Sequence, residues 1–192
     1  NGADATLILS GSVEHLTHPD GSWAILDIGF ANKRRSCGLL LPGEPARCVT
    51  YGQARAILAA FVASSTRPTN LVIEAPLSVA FSADGNPTGR SVELRGGQSR
   101  YWYVGLGCSV MVAALYLIRD LASAKPRAPV RLFEGFVSFK SSPSDHLADV
   151  AALHQVVLEP GSHSHCIVAP ESLRVASTDV LTSAGRLCGV DF

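Results

Sequence analysis

A chain of 192 residues that is 47% hydrophobic and 17% charged can build one domain with a real core, and its composition is not that of a disordered chain. Sixteen Lys and Arg balance sixteen Asp and Glu, so bulk basicity makes no case for nucleic-acid binding and only local patches remain. The five cysteines (Cys37, Cys48, Cys108, Cys166 and Cys188) are scattered, odd in number and without a CxxC pair, which suits reduced thiols in a cytoplasmic setting.

The first residues, NGADATLILSGS, lack a basic stretch and a cleavage site, so no secretory signal is expected. A weak strand near Thr6–Leu9 precedes Ser22–Phe30 (SWAILDIGF), a strand opened by the Asp20-Gly21 turn. Asn32–Arg35 is a polar turn, Ser36–Leu41 a second strand stopped by Pro42-Gly43, and Ala46–Tyr51 a third. Short polar connections between them predict an antiparallel meander. Ala54, Ile57, Leu58 and Phe61 give Gly52–Ser65 helical spacing. Thr66–Asn70 then leads into LVIEAPLS, a strand ending at Glu74, and Ser78–Arg100 reads as a polar, glycine-bearing loop.

A long apolar helix is predicted over Tyr101–Ser123. Its portion Tyr101–Ile118 carries no charge and reaches the lower limit for a membrane span, about 18 residues. Two glycines, a cysteine and a serine dilute it, so it is expected to lie buried against a sheet or at a homodimer interface, not in a membrane. Pro126–Phe133 is a strand that ends at Glu134. Pro143–Leu158 is a helix, with Ser142 as its N-cap. The order is β-β-β-α-β-α-β-α, followed by a tail with little pattern.

Several acids stand where acids are unfavourable. Asp27 lies inside an otherwise apolar strand, on the same face as Ile25 and Gly29. Glu74 ends a run of Leu, Val and Ile, where an unpaired carboxylate would be costly. In SPSDHLADVAALHQVV, Asp145 and His146 stand four and three residues before Asp149, so all three can lie near one helix face. Asp145 alone is explained by the positive end of a helix dipole; Asp149, within the apolar stretch, is not.

The order of elements, with Asp27 in ILDIG, Glu74 in LVIEAPL, and His146 with Asp149 in HLADVAAL, resembles the ribonuclease H-like superfamily. It is most similar to the predicted nucleases of that fold and to Holliday-junction resolvase relatives. The resemblance spans roughly residues 22–158 and is carried by order and spacing. It implies a single α/β domain over residues 1–192, with a mixed five-stranded sheet, flanking helices and terminal extensions. It also implies that Asp27 and Glu74 from two strands meet Asp149 and His146 from the last helix, although Glu74 stands where the family often has Asp.

Such a cluster suits Mg²⁺ or Mn²⁺, because neighbouring carboxylates repel and a hard cation relieves the repulsion. Paired ions of this kind support phosphodiester hydrolysis in DNA or RNA. The expected roles are Asp27 as bridging ligand, Glu74, Asp149 and Asp145 as further metal ligands, and His146 as a ligand or positioner of water. Glu134 is a second-tier candidate. Lys33, Arg34 and Arg35, with Arg90, Arg95 and Arg100 before the aromatics Tyr101–Tyr103, are the expected contacts to nucleic acid.

His163, His165 and Cys166 in GSHSHC lack a second ligand cluster and read as an exposed loop. No GxSxG elbow or phosphate-binding GxxxxGK[ST] loop is present. Two rivals to a nuclease are kept. DIG also resembles the phosphate-binding turn of actin-like and sugar-kinase proteins, which need two such domains. A binding or assembly module that keeps the fold without catalysis is favoured by the neutral charge and the long apolar helix.

Overall fold

The computed structural model of the chain describes residues 7–29, 35–93, 106–137, 145–159 and 166–192. Along them run β1 (Ile8–Ser10), α1 (Val13–Thr17), β2 (Ser22–Ile28), β3 (Cys37–Leu40), β4 (Arg47–Val49), α2 (Tyr51–Ser64), β5 (Thr69–Glu74), β6 (Ser78–Phe81), β7 (Pro87–Thr88), α3 (Leu106–Ser123), β8 (Val130–Gly135), α4 (His146–Leu158), β9 (Ile167–Val168) and β10 (Val180–Ser183). The main sheet has the order β1-β8-β5-β2-β3-β4, with β9 joined to the end of β8, and β10-β6-β7 form a second, three-stranded sheet. β1, β8, β5 and β2 are parallel, whereas β3, β4 and β9 are each antiparallel to the strand they pair with.

β2 is buried from Ala24 to Ile28 and β5 along its whole length. This is the pattern of central parallel strands covered on both faces, and it explains why neither shows clean polar alternation. Ala24, Leu26, Ile28, Leu71, Ile73 and Leu132 pack on one face with α2 and α3. Ile25, Val72 and Phe133 pack on the other with Val150, Leu153 and Val157 of α4. The alternation places Asp27 and Glu74 on the α4 face.

The chain enters β2 through Gly21, at φ +94°, where a Cβ would lie 2.2 Å from the Pro68 carbonyl oxygen that accepts from Ser22 N–H. Only glycine combines that conformation with that contact. α2 starts in a capping box, with Thr50 Oγ1 accepting from Gln53 N–H and Gln53 Oε1 accepting from Thr50 N–H.

The meander, α2, β5, α3, β8 and α4 follow the order read from the sequence. The predicted five strands of the main sheet are joined by β1 and β9. Ser78–Arg100, expected as a loop, holds β6, β7 and a 3₁₀ turn over residues 91–93 within its described part. β6 pairs with β10, about 100 residues away, in the register Val180↔Phe81 to Ser183↔Ser78. No local pattern announces such a partner. The N-cap of α4 is Asp145, not Ser142, which lies outside the described residues together with Tyr101–Gly105.

Among the described residues no helix is long and apolar enough to cross a membrane. The described part of α3 packs on α2 and the sheet through Val110, Ala114, Leu117, Ile118 and Leu121. Its outer side leaves Val112 and Tyr116 about half exposed, at 45% and 48%. All five cysteines are free thiols.

Candidate metal centre

Asp27 sits near the carboxyl end of β2, buried at 4% exposure, between Gly38 of β3 and Glu74 of β5. A carboxylate taken this far from water needs a compensating partner. His146 supplies one, with its Nδ1 lying 2.7 Å from Asp27 Oδ2. His146 is the first residue of α4 and Asp149 lies three positions on, so one turn of helix presents both to the strand end. One ligand atom from each of Asp27, His146 and Asp149 lies within 4.8 Å of the others, with Asp27 buried and the other two half-buried.

Two glycines let α4 come this close. A Cβ on Gly29 would lie 2.1 Å from His146 Cε1 and 2.3 Å from its Nε2. A Cβ on Gly38 would lie 2.3 Å from the His146 carbonyl oxygen and 2.7 Å from Val150 Cγ2. Their chemistry is an absence: they are the floor on which His146 rests. Glycine inside or at the end of a strand is the signal for such close approach, and it marks both positions in DIGF and SCGLL.

Glu74 is the parallel register partner of Asp27. Neighbouring strands lie about 4.8 Å apart, and register partners share a face, so this carboxylate flanks the cluster. It is 8% exposed, and its Oε1 accepts from Val137 N–H at 3.2 Å, which ties the end of β5 to the chain leaving β8. Glu74 is not a member of the converging group of three.

Other expectations are corrected. Asp145 is exposed and its Oδ1 accepts from Ala148 N–H at 2.8 Å, so it caps α4 and stands outside the converging group. Arg90, expected to contact substrate, is fully buried. Its Nε and Nη2 donate to Glu93 Oε1 at 3.0 and 2.8 Å, and its Nη1 donates to Glu134 Oε1 at 2.6 Å. A guanidinium so enclosed cannot reach a phosphate. Glu134 does end β8 at the same carboxyl edge as the acids, but its side chain lies on the α2 and α3 face, because Val130 and Leu132 before it pack there while Gly135 meets Val72 and Leu153 on the α4 side. Arg35 is exposed beside β3, and Lys33, Arg34, Arg95, Arg100, His163 and His165 lie outside the described residues.

Two carboxylates and an imidazole form a donor set that fits a hard or borderline divalent cation, with Asp27, His146 and Asp149 as its holders and Glu74 beside them. No protein-family model, curated protein or solved structure matches the chain.

Proposed function

We propose that the protein is a metal-dependent nuclease of ribonuclease H-like fold, hydrolysing phosphodiester bonds in DNA or RNA. The observation that carries this reading is the convergence of Asp27, His146 and Asp149 within 4.8 Å, at the carboxyl end of a parallel strand with Glu74 on the next. The mixed main sheet, in which the antiparallel run β4-β3-β2 is followed by β5 and β8 parallel to β2, also supports it, since the resemblance implies a mixed sheet with flanking helices. Ligand sites in open α/β sheets lie outside the carboxyl ends of the strands.

A bound Mg²⁺ or Mn²⁺ would generate the attacking hydroxide from water and stabilise charge on the scissile phosphate. The chain's own residues have simpler tasks. Asp27 and Asp149 concentrate negative charge at the strand end, His146 is held by its hydrogen bond to Asp27, and Glu74 holds the β8 exit through Val137. The imidazole in the donor set favours Mn²⁺ over Mg²⁺. Arg35, exposed on the way into β3, is the described cation available to a phosphate backbone.

The test is cleavage of end-labelled single-stranded, duplex and four-way-branched DNA and RNA in Mn²⁺, with Asp149→Asn as the control. Cleavage by the wild type and its loss by at least a hundredfold in the variant is expected. Equal products from both proteins, or none from either, refutes the proposal. A non-catalytic binding or assembly module remains the second reading, favoured by the zero net charge and the enclosure of Arg90.

A further inference from the structure

On the face of the sheet opposite the candidate metal centre, three charged side chains are buried together. Arg90, Glu93 and Glu134 are exposed by 0%, 1% and 0%. Isolated charges are rarely buried so completely, and when they are, their signs normally cancel. Among the described residues of this cluster they do not, because two carboxyl groups share one guanidinium.

The hydrogen bonds show which carboxyl has the stronger claim. Glu93 takes three donors from Arg90: Oε2 accepts from the Arg90 backbone N–H, and Oε1 accepts from Nε and Nη2. Glu134 concentrates its contacts on one oxygen. Its Oε1 accepts from Arg90 Nη1 at 2.6 Å, from Leu77 N–H at 2.8 Å and from Ser78 Oγ at 3.4 Å. Its Oε2 is fully enclosed and has no hydrogen-bond partner. Among the described residues the charged groups that act on it most strongly are Arg90 and Glu93, both from the segment after β7. From β5 and β9, the neighbours paired with it in the sheet are Ile73 and Val168. An ionised oxygen left bare in this setting costs far more than a neutral carboxyl.

We infer that the Arg90–Glu93–Glu134 cluster holds one proton at neutral pH, on Glu134, and that this proton latches the small sheet to the main one. The proton leaves the cluster electroneutral, with Glu134 a carboxylic acid beside the Arg90–Glu93 ion pair. Its loss puts a net negative charge in the interior, which only water can relieve. Water reaches Oε2 only if Leu77–Ser78 and Arg90–Glu93 lift from β8.

The latch bears on the candidate centre through the ends of two strands. Glu134 of β8 holds Leu77 N–H of the chain leaving β5, and Glu74 of β5 holds Val137 N–H of the chain leaving β8. These reciprocal clasps lie on opposite faces of the sheet, so opening one loosens the exit that positions the other. The inference stands whether or not the protein is a nuclease.

Burial pushes the Glu134 carboxyl above its usual range, against the lowering effects of Arg90 and the Leu77 N–H, which agrees with the geometry. A group raised in the folded state stabilises fully below its unfolded pKa, near 4.3, and loses that contribution as pH climbs through the folded value.

Three measurements on the whole chain test this. The first is the infrared spectrum at pH 7: a protonated carboxyl C=O band is expected in the wild type and absent in Glu134→Gln. The second compares their melting temperatures from pH 5 to pH 10. The wild type is expected to fall relative to Glu134→Gln as pH rises, by several degrees, and the difference cancels the titration of cysteines and tyrosines. At pH 9 the Leu77 amide is expected to exchange its hydrogen faster in the wild type than in the variant. No protonated band at pH 7, or a constant gap in melting temperature across the range, overturns the inference. Because the infrared band is read on the wild type, a variant that fails to fold leaves the test intact.

Discussion

A methyl group at Gly29 would meet the His146 ring at 2.1 Å and the Ser36 carbonyl oxygen at 1.9 Å, far inside any contact that side chains tolerate. The ring would have to leave Asp27. Gly29→Ala is therefore expected to lower stability by about 1–3 kcal/mol, the usual cost of overpacking, and to abolish Mn²⁺ binding as well. Urea unfolding with and without Mn²⁺ separates the two effects. Asp27, Glu74, His146 and Asp149 stood out in the sequence because each is polar among apolar neighbours. Glu134 stood out equally, yet its face could be assigned only by knowing which helix packs on which side of β8. Arg90 was misread for a related reason. Glu93 is its i+3 neighbour, but Glu134 is 44 residues away, and it is their joint burial that makes Arg90 part of the interior.

At the scale of elements, α4 has the most exacting position. Its first turn carries two of the three converging ligands, and its N-cap is a third acid with a different task. Asp145→Asn is expected to leave both stability and metal affinity nearly unchanged, because Asn caps as well as Asp. Asp145→Ala should cost about 1 kcal/mol of stability, which a thermal melt would resolve. A large loss of metal affinity in Asp145→Asn would restore this residue to the ligand set. Gly38→Ala tests the packing of the same helix against β3, where the new Cβ meets the His146 carbonyl and Val150. About 1–3 kcal/mol of destabilisation is expected in urea. The central elements were legible from the sequence since their apolar runs are strong, whereas β6, β7 and β10 were not. Short strands whose pairing joins residues 78–81 to residues 180–183 leave no periodic trace within a local window.

At the scale of the molecule, the sheet separates two polar assemblies: the Asp27–His146–Asp149 cluster on the α4 side and the Arg90–Glu93–Glu134 cluster on the other. The first is partly open and the second is sealed, which suits binding in one case and structure in the other. Zero net charge does not oppose a nuclease, but it places any attraction for nucleic acid in local cations, of which Arg35, exposed two residues before β3, is a described candidate.

The most direct measurement is thermal unfolding of the wild type and Asp149→Asn during titration with Mn²⁺. Ligand bound only to the folded state stabilises by about 2.7 kcal/mol at a hundred times its dissociation constant, so the melting temperature must climb with concentration. A saturable rise is expected in the wild type and little or none in Asp149→Asn, whose unliganded melting temperature stays close to that of the wild type. Identical responses in the two proteins, or no response in either, would contradict a metal centre built on Asp27, His146 and Asp149.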